Sequence, residues 1–219
     1  MSAAQELSSI KPEMRSVRGD APEVLTQIYE QDINLCCYQR SLSPLVIEYS
    51  QMLLENSHLN IRAVVTLEEL EQQLQNLLPT HAAKKDFVAD LVLVIEMYSY
   101  LFELDEVGLR LQVLDRAMCP RFHTDKLGCR LVTAYQGAGT EWLDEHQLDR
   151  TKLGAGNGGL PDAESGLYAD QEQINQASVG DVLLLKGEGW FGGEGKGVVH
   201  RSPAVLSGQK RLVATLDFA

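Results

Sequence analysis

Among the 219 residues of this chain, three have types and spacing that suit one piece of chemistry: His123 and Asp125, and far downstream His200. On an extended backbone, residues two apart point to the same side, so His123 and Asp125 can reach one ion together. Two imidazoles and a carboxylate fill one face of an octahedral divalent metal and leave the other face free, an arrangement that suits non-haem Fe(II). Nothing local brings His200 to the pair. The rest of the chain must supply the elements that carry it there.

The other metal-binding or nucleophilic side chains read more simply. His58 and His81 sit next to helix ends, where a solvated or capping imidazole is the ordinary case, and His146 lies in the acidic turn Asp144-Glu145-His146. Cys36 and Cys37 are adjacent, and Cys119 and Cys129 flank His123-Thr124-Asp125; neither pair has the two-residue gap of a zinc knuckle. Flanking that segment, Cys119 and Cys129 are placed either near such an ion or, on the simpler reading, as buried strand cysteines. Met1 to Arg15 carries no apolar core of the length a secretory signal needs, and no run approaches about eighteen uninterrupted apolar residues. The expectation is a cytoplasmic chain with reduced thiols and no membrane contact.

With 44% hydrophobic and 23% charged residues, the chain can bury a sizeable core. Its formal net charge of −12 repels phosphate backbones and anionic lipid, and the scattered Lys and Arg form no basic patch. Nucleic acid is therefore not an expected partner; a small molecule, a peptide or a protein is.

The hydrophobic pattern changes near residue 105. Before it, the period is mainly helical. Ser43-Pro44 opens an amphipathic helix ending near Asn56, and Thr66 with Glu69 has the form of a capping box for a second helix with Leu67, Leu70, Leu74 and Leu77 as its stripe. A third helix, about His81 to Leu104, carries Phe87, Leu91, Val94, Ile95 and Tyr98 on one face. That face packs either within the chain or against a second copy. Ile33 to Tyr38 and Ile61 to Val65 are strand-like. From Gly108 onward the period becomes two and glycine is frequent, as in an all-β barrel or sandwich. Residues 1–105 thus form a mainly helical part with a few strands, and 106–219 a β-rich core, the two counted as one compact unit. A Gly-rich insertion at about 149–176 lacks the Lys-Ser/Thr of a phosphate loop and reads as a surface segment able to fold over a site.

In chain order, His123-Thr124-Asp125 is followed by Gly137-Ala138-Gly139-Thr140-Glu141-Trp142-Leu143, then Gly180-Asp181-Val182-Leu183-Leu184-Leu185, then His200, then Arg211 on the last strand. This succession resembles the Fe(II)/2-oxoglutarate-dependent oxygenases over roughly Leu109 to Phe218. The resemblance implies an α+β protein whose C-terminal double-stranded β-helix, a jelly-roll or cupin-like barrel, is buttressed by N-terminal helices. It implies Fe(II) on His123, Asp125 and His200, and 2-oxoglutarate held at its far carboxylate by Arg211, whose planar fork suits a carboxylate. Tyr135 is the candidate for a second hydrogen bond to that cosubstrate. Trp190 and Phe191, in the glycine-rich run Gly187 to Gly195, are candidates for a substrate lid or for a plug at the barrel end. The Arg-x-Ser signature of some members is absent, since Val213 stands two residues after Arg211, with Thr215 further along the same face.

The chain also looks like an uncharacterised bacterial family of unknown function associated with zinc-homeostasis genes. That implies a second reading, a non-catalytic barrel with zinc or another divalent ion in the same triad, serving metal handling or sensing. A third reading is a metal-free interaction domain in which His123 and His200 never meet.

Overall fold

The structure, a computed structural model, describes residues 13–219. The stretch read for a secretory leader, Met1 to Arg15, lies outside the described residues except at its end. The fold is mixed α+β. Ten strands run in chain order: β1 Arg15–Gly19, β2 Ile33–Tyr38, β3 Asn60–Thr66, β4 Glu106–Leu114, β5 Cys129–Gln136, β6 Glu141–Leu143, β7 Asn175–Gln176, β8 Val182–Lys186, β9 Val199–Arg201 and β10 Arg211–Phe218. A 3-10 helix spans Pro22–Tyr29, and three α-helices follow: α1 Pro44–Glu55, α2 Leu70–Leu77 and α3 Lys84–Phe102.

Seven strands form one large sheet in the order β1-β2-β8-β5-β10-β4-β3, and three form a small sheet, β7-β6-β9. The large sheet takes its edges from the first part of the chain and its centre from the second, so it crosses the change of period near residue 105. β1, which the sequence pattern does not reveal, runs parallel to β2.

Strand alternation sorts the large sheet into two faces. Leu109, Leu111, Leu131, Tyr135, Leu184, Leu212, Ala214 and Leu216 meet the helices, where Tyr49, Phe87, Leu91, Ile95 and Tyr98 are fully enclosed. Full burial of each such side chain is worth about 1.5–3 kcal/mol, which explains why the helical stripe packs within the chain. The opposite face carries Leu35, Cys37, Val132, Ala134, Leu183 and Val213, which meet Trp142 and Val198 of the small-sheet side. The candidate metal-binding residues lie on this second side.

The helix boundaries follow local chemistry. Ser43 caps α1 by accepting from the Val46 N–H at 3.3 Å, and Pro44 follows it. α2 starts later than the Thr66–Glu69 pattern suggests. Thr66 instead ends β3, where the Gln73 side chain holds both its N–H (3.0 Å) and its hydroxyl (3.3 Å). α3 stops where Glu103 turns into the left-handed region at φ 53°. Among the described residues, no helix is long and apolar enough to cross a membrane.

Candidate metal centre

His123 lies between β4 and β5, and His200 is the middle residue of β9. The two face each other as an isolated antiparallel bridge, each N–H donating to the other's carbonyl at 3.0 Å. In such a pair both side chains leave on the same side, and the two imidazole centroids are 4.6 Å apart. Asp125, two residues beyond His123, reaches both rings. Its Oδ1 is 3.6 Å from His123 Nε2 and its Oδ2 is 3.6 Å from His200 Nε2. One ligand atom from each of the three residues lies within 4.8 Å of the others.

Hydrogen bonds define which nitrogens are free. His123 Nδ1 lies 3.0 Å from the Arg121 carbonyl and His200 Nδ1 lies 3.2 Å from the Val198 carbonyl. A carbonyl only accepts, so each Nδ1 carries a proton and Nε2 is the atom left to coordinate an ion. Burial depresses the His200 pKa to about 4, against the pull of Asp125 and with the push of His123, so that ring is neutral at pH 7. Burial would raise the Asp125 carboxyl, but its contact with His123 and the charges of His200 and Arg130 outweigh that and hold it at about 2. Two imidazole nitrogens therefore converge on one point with an ionised carboxylate: that of His200, which is neutral, and that of His123, whose pKa the contact with Asp125 raises. Ligands at about 2.1 Å from a shared ion and at right angles sit roughly 3 Å apart. A divalent ion fits this donor set with a small inward adjustment.

Arg130 on β5 supports the carboxylate. Its Nη1 donates to Asp125 Oδ2 at 2.9 Å, while Nε and Nη2 grip both oxygens of Asp217 on β10 at 2.7 and 2.9 Å, and Arg110 joins Asp217 from β4 at 2.9 Å. The chain of charges spans three strands of the large sheet and aims Asp125 at the imidazoles. The sequence carries one signal for this network: Asp217 is an acid on the same alternating face of β10 as Arg211.

A cleft beside the triad is lined by His123, His200, Arg130 and Arg211, with Leu114, Val132, Thr140, Val213 and Thr215 as its walls. Arg211 is almost fully buried, and its Nε donates to the Ala138 carbonyl at 2.5 Å. Among the described residues no carboxylate forms an ion pair with it. Burial lowers its pKa to about 10, with only the more distant Glu141 opposing. A buried guanidinium without an anion is costly in isolation, and here it borders the same cleft as the two histidines.

Tyr135 does not reach the cleft. The alternation that turns Val132 and Ala134 inward turns Tyr135 to the helices, where it packs 4.7 Å from Phe87 and donates to Asp90 at 2.8 Å. Asp90 in turn pairs with Arg40, which donates to Gly180 O at 2.8 Å. Tyr135→Phe is expected to lower unfolding free energy by about 1 kcal/mol in denaturant titrations, the loss of one hydrogen bond, with no change in any ligand affinity of the cleft.

Trp190 and Phe191 do not cover the cleft either. Trp190 packs at a tilt against Tyr29 and edge-to-face against Phe102 and lies under the Lys186 amine, away from the triad, and Phe191 is fully exposed. Their loop instead braces the backbone around Asp125. Glu188 N–H donates to the Asp125 carbonyl at 2.8 Å, and Glu188 Oε1 accepts from Thr124 Oγ1 at 2.7 Å. A Cβ on Gly187 would sit 2.1 Å from Leu127 O and 2.9 Å from Asp125 O. Gly187→Ala is therefore expected to shift the Asp125 segment and weaken metal binding, read by calorimetric titration with a divalent ion; unchanged affinity would mean that the segment adapts at no cost.

Of the cysteines, Cys129 is buried on β5 as expected, whereas Cys119 is exposed and lines the cleft mouth, because its segment runs over the surface beside Ser202. His58, His81 and His146 lie apart from the triad. His81 accepts from the Ala83 N–H at 3.1 Å, ahead of α3.

A family model described as a protein of unknown function, DUF1826, matches residues 19–217. No curated protein matches the chain. Among solved structures, the dioxygenase for auxin oxidation 1 of Arabidopsis thaliana, a complex with 2-oxoglutarate, aligns over 94% of this chain and 92% of that one at 11% identity, with a TM-score of 0.53. A rice dioxygenase for auxin oxidation aligns over 94% and 83% at 10% identity (TM-score 0.48). A Pseudomonas putida prolyl-4-hydroxylase aligns over 96% and 98% at 12% identity (TM-score 0.42). The likeness to the Arabidopsis enzyme is one of fold.

Proposed function

We propose, for a chain that belongs to the DUF1826 family of proteins of unknown function, that it is a non-haem Fe(II)/2-oxoglutarate-dependent oxygenase acting on a small molecule or a protein. On this reading the two facing sheets are its double-stranded β-helix. His123, Asp125 and His200 hold the metal, and Arg211 holds the far carboxylate of 2-oxoglutarate. The observation that carries the reading is Arg211: a buried cation without a carboxylate partner among the described residues, in the same cleft as a three-ligand cluster. A dicarboxylate spanning metal and guanidinium would satisfy both.

Iron held by His123, Asp125 and His200 would supply the O₂ chemistry in which 2-oxoglutarate is decarboxylated to succinate and CO₂ and one oxygen atom goes to the substrate. This chain's residues have separate tasks. The Nδ1–H bonds to Arg121 O and Val198 O keep both Nε2 atoms facing the ion. Arg130 donates to Asp125 Oδ2 and would hold the carboxylate beside the two imidazoles. Leu114, Val132 and Val213 exclude water from the cosubstrate, strengthening its attraction to Arg211. The net charge of −12 disfavours nucleic acid and anionic membranes as substrates, and free thiols fit a cytoplasmic setting.

The deciding experiment is anaerobic addition of Fe(II) and 2-oxoglutarate to the purified chain. A weak visible charge-transfer band that needs both, followed by succinate release on admitting O₂, is the expected result. A tightly held zinc ion that 2-oxoglutarate does not perturb, with no band after exchange to iron, would replace the oxygenase with a metal-handling protein.

A further inference from the structure

We propose that Asp162, in the Gly-rich insertion, is a positioning residue for the metal centre, clamping the residues that adjoin His123 and His200. The inference rests on the metal-binding reading above. It gives the insertion a role other than that of a lid.

Asp162 is 9% exposed, although it belongs to a surface segment rich in glycine. Its carboxylate gathers donors from both histidine-bearing segments. Oδ2 accepts from the Phe122 N–H at 2.8 Å, Oδ1 accepts from Arg121 Nε at 3.2 Å, and Arg201 Nη1 lies 3.7 Å from Oδ2. Phe122 directly precedes His123, and Arg201 directly follows His200. The Arg201 guanidinium also lies 4.3 Å over the Phe122 ring, closing a loop of contacts between the two neighbours. Arg121 supplies the carbonyl that fixes His123 Nδ1, so the residue held by Asp162 also sets the tautomer of one ligand.

The insertion is fastened well enough to act as a clamp. Leu167 and Tyr168 join Phe122, Leu143 and Val199 in a separate apolar cluster, and Asp149 N–H donates to Leu167 O at 2.8 Å. Phe122 and Val199 of that cluster each adjoin a histidine of the triad. Ser165 Oγ donates to Asp162 O at 3.0 Å and accepts from the Leu167 N–H, fixing the turn that presents the carboxylate. An Asp side chain suits the position because its two oxygens meet the Arg121 guanidinium and the Phe122 N–H directly, with Arg201 at 3.7 Å.

The test uses the full chain and Co(II), whose visible spectrum reports ligand geometry. Asp162→Ala is expected to lower Co(II) affinity about 10- to 100-fold, as for other outer-shell partners of metal ligands, and to alter the spectrum at saturation. Asp162→Asn, which keeps one acceptor but loses the charge, should fall between. Glu164→Ala, an exposed carboxylate of the same insertion without side-chain bonds to the histidine segments, should match the wild type. Wild-type affinity and spectrum in Asp162→Ala would overturn the clamp, as would a lowered melting temperature with an unaltered spectrum at saturation. If the alanine variant fails to fold, the asparagine variant decides, and wild-type behaviour there overturns the proposal. A wild-type chain that binds no Co(II) would overturn the metal-binding reading itself, and the clamp with it.

Discussion

Arg211→Met is expected to abolish detectable 2-oxoglutarate binding while the chain still binds its metal. Arg211 lies almost fully buried without a carboxylate partner among the described residues, so its remaining donors are available to an anion in the cleft. Two charge-assisted hydrogen bonds to one carboxylate, at roughly 1.5–3 kcal/mol each, correspond to a loss of affinity on the order of 10² to 10⁴. Methionine keeps much of the length and removes the charge. The same substitution should leave the ligand-free protein as stable or more stable, because an uncompensated guanidinium leaves the interior. Calorimetric titration of the Fe(II)-loaded variant and thermal melts of the free form measure the two effects. Retained 2-oxoglutarate affinity would exclude Arg211 as its anchor, and a large drop in melting temperature would mark the residue as structural.

Asp125→Ala is expected to eliminate metal binding, a larger effect than the roughly 10- to 100-fold typical of an outer-shell loss. It removes the single anionic donor and leaves Arg130 facing two imidazoles, so an incoming cation meets positive charge in place of a carboxylate. In the unmodified protein, acid should weaken metal binding in a particular way. Asp125, held at about 2, and His200, held at about 4, are both ready to coordinate above pH 5. His123 is the exception, since Asp125 raises its pKa above the usual 6.5 against the effect of burial. Below that raised pKa the ion must displace one proton, and above it none. Affinity for a redox-inert divalent ion should therefore fall about tenfold per pH unit on the acid side and level off on the alkaline side. A slope of two or three protons would show that His200 or Asp125 also titrates in this range.

Much of the candidate site was legible locally. His123 and Asp125 share a side because they are two residues apart, and the structure places their facing atoms 3.6 Å from each other. The stripe of α3 was visible because only one of its faces is apolar. The direction of Tyr135 was not visible. β5 is enclosed on both sides, with nearly every residue from Cys129 to Tyr135 buried, so no polar alternation marks which side chains meet the helices. The placement of Trp190 and Phe191 was not visible for a related reason: a glycine-rich loop leaves the direction of its aromatics unspecified, and Tyr29 and Phe102, distant in sequence, capture Trp190.

What the chain determines by itself is the chemistry on offer: an H-x-D pair, a later histidine, a later arginine, and a change of hydrophobic period between its two parts. These follow from residue identity and from the repeat of helix and strand. Tertiary structure alone decided that His200 bridges His123, that Arg130 turns toward Asp125, and that Asp162 reaches both histidine segments from the insertion. Each of the three depends on which strands become neighbours. Periodicity tells a strand which side chains share a face, whereas strand pairing, set by burial across the whole sheet, decides what that face meets.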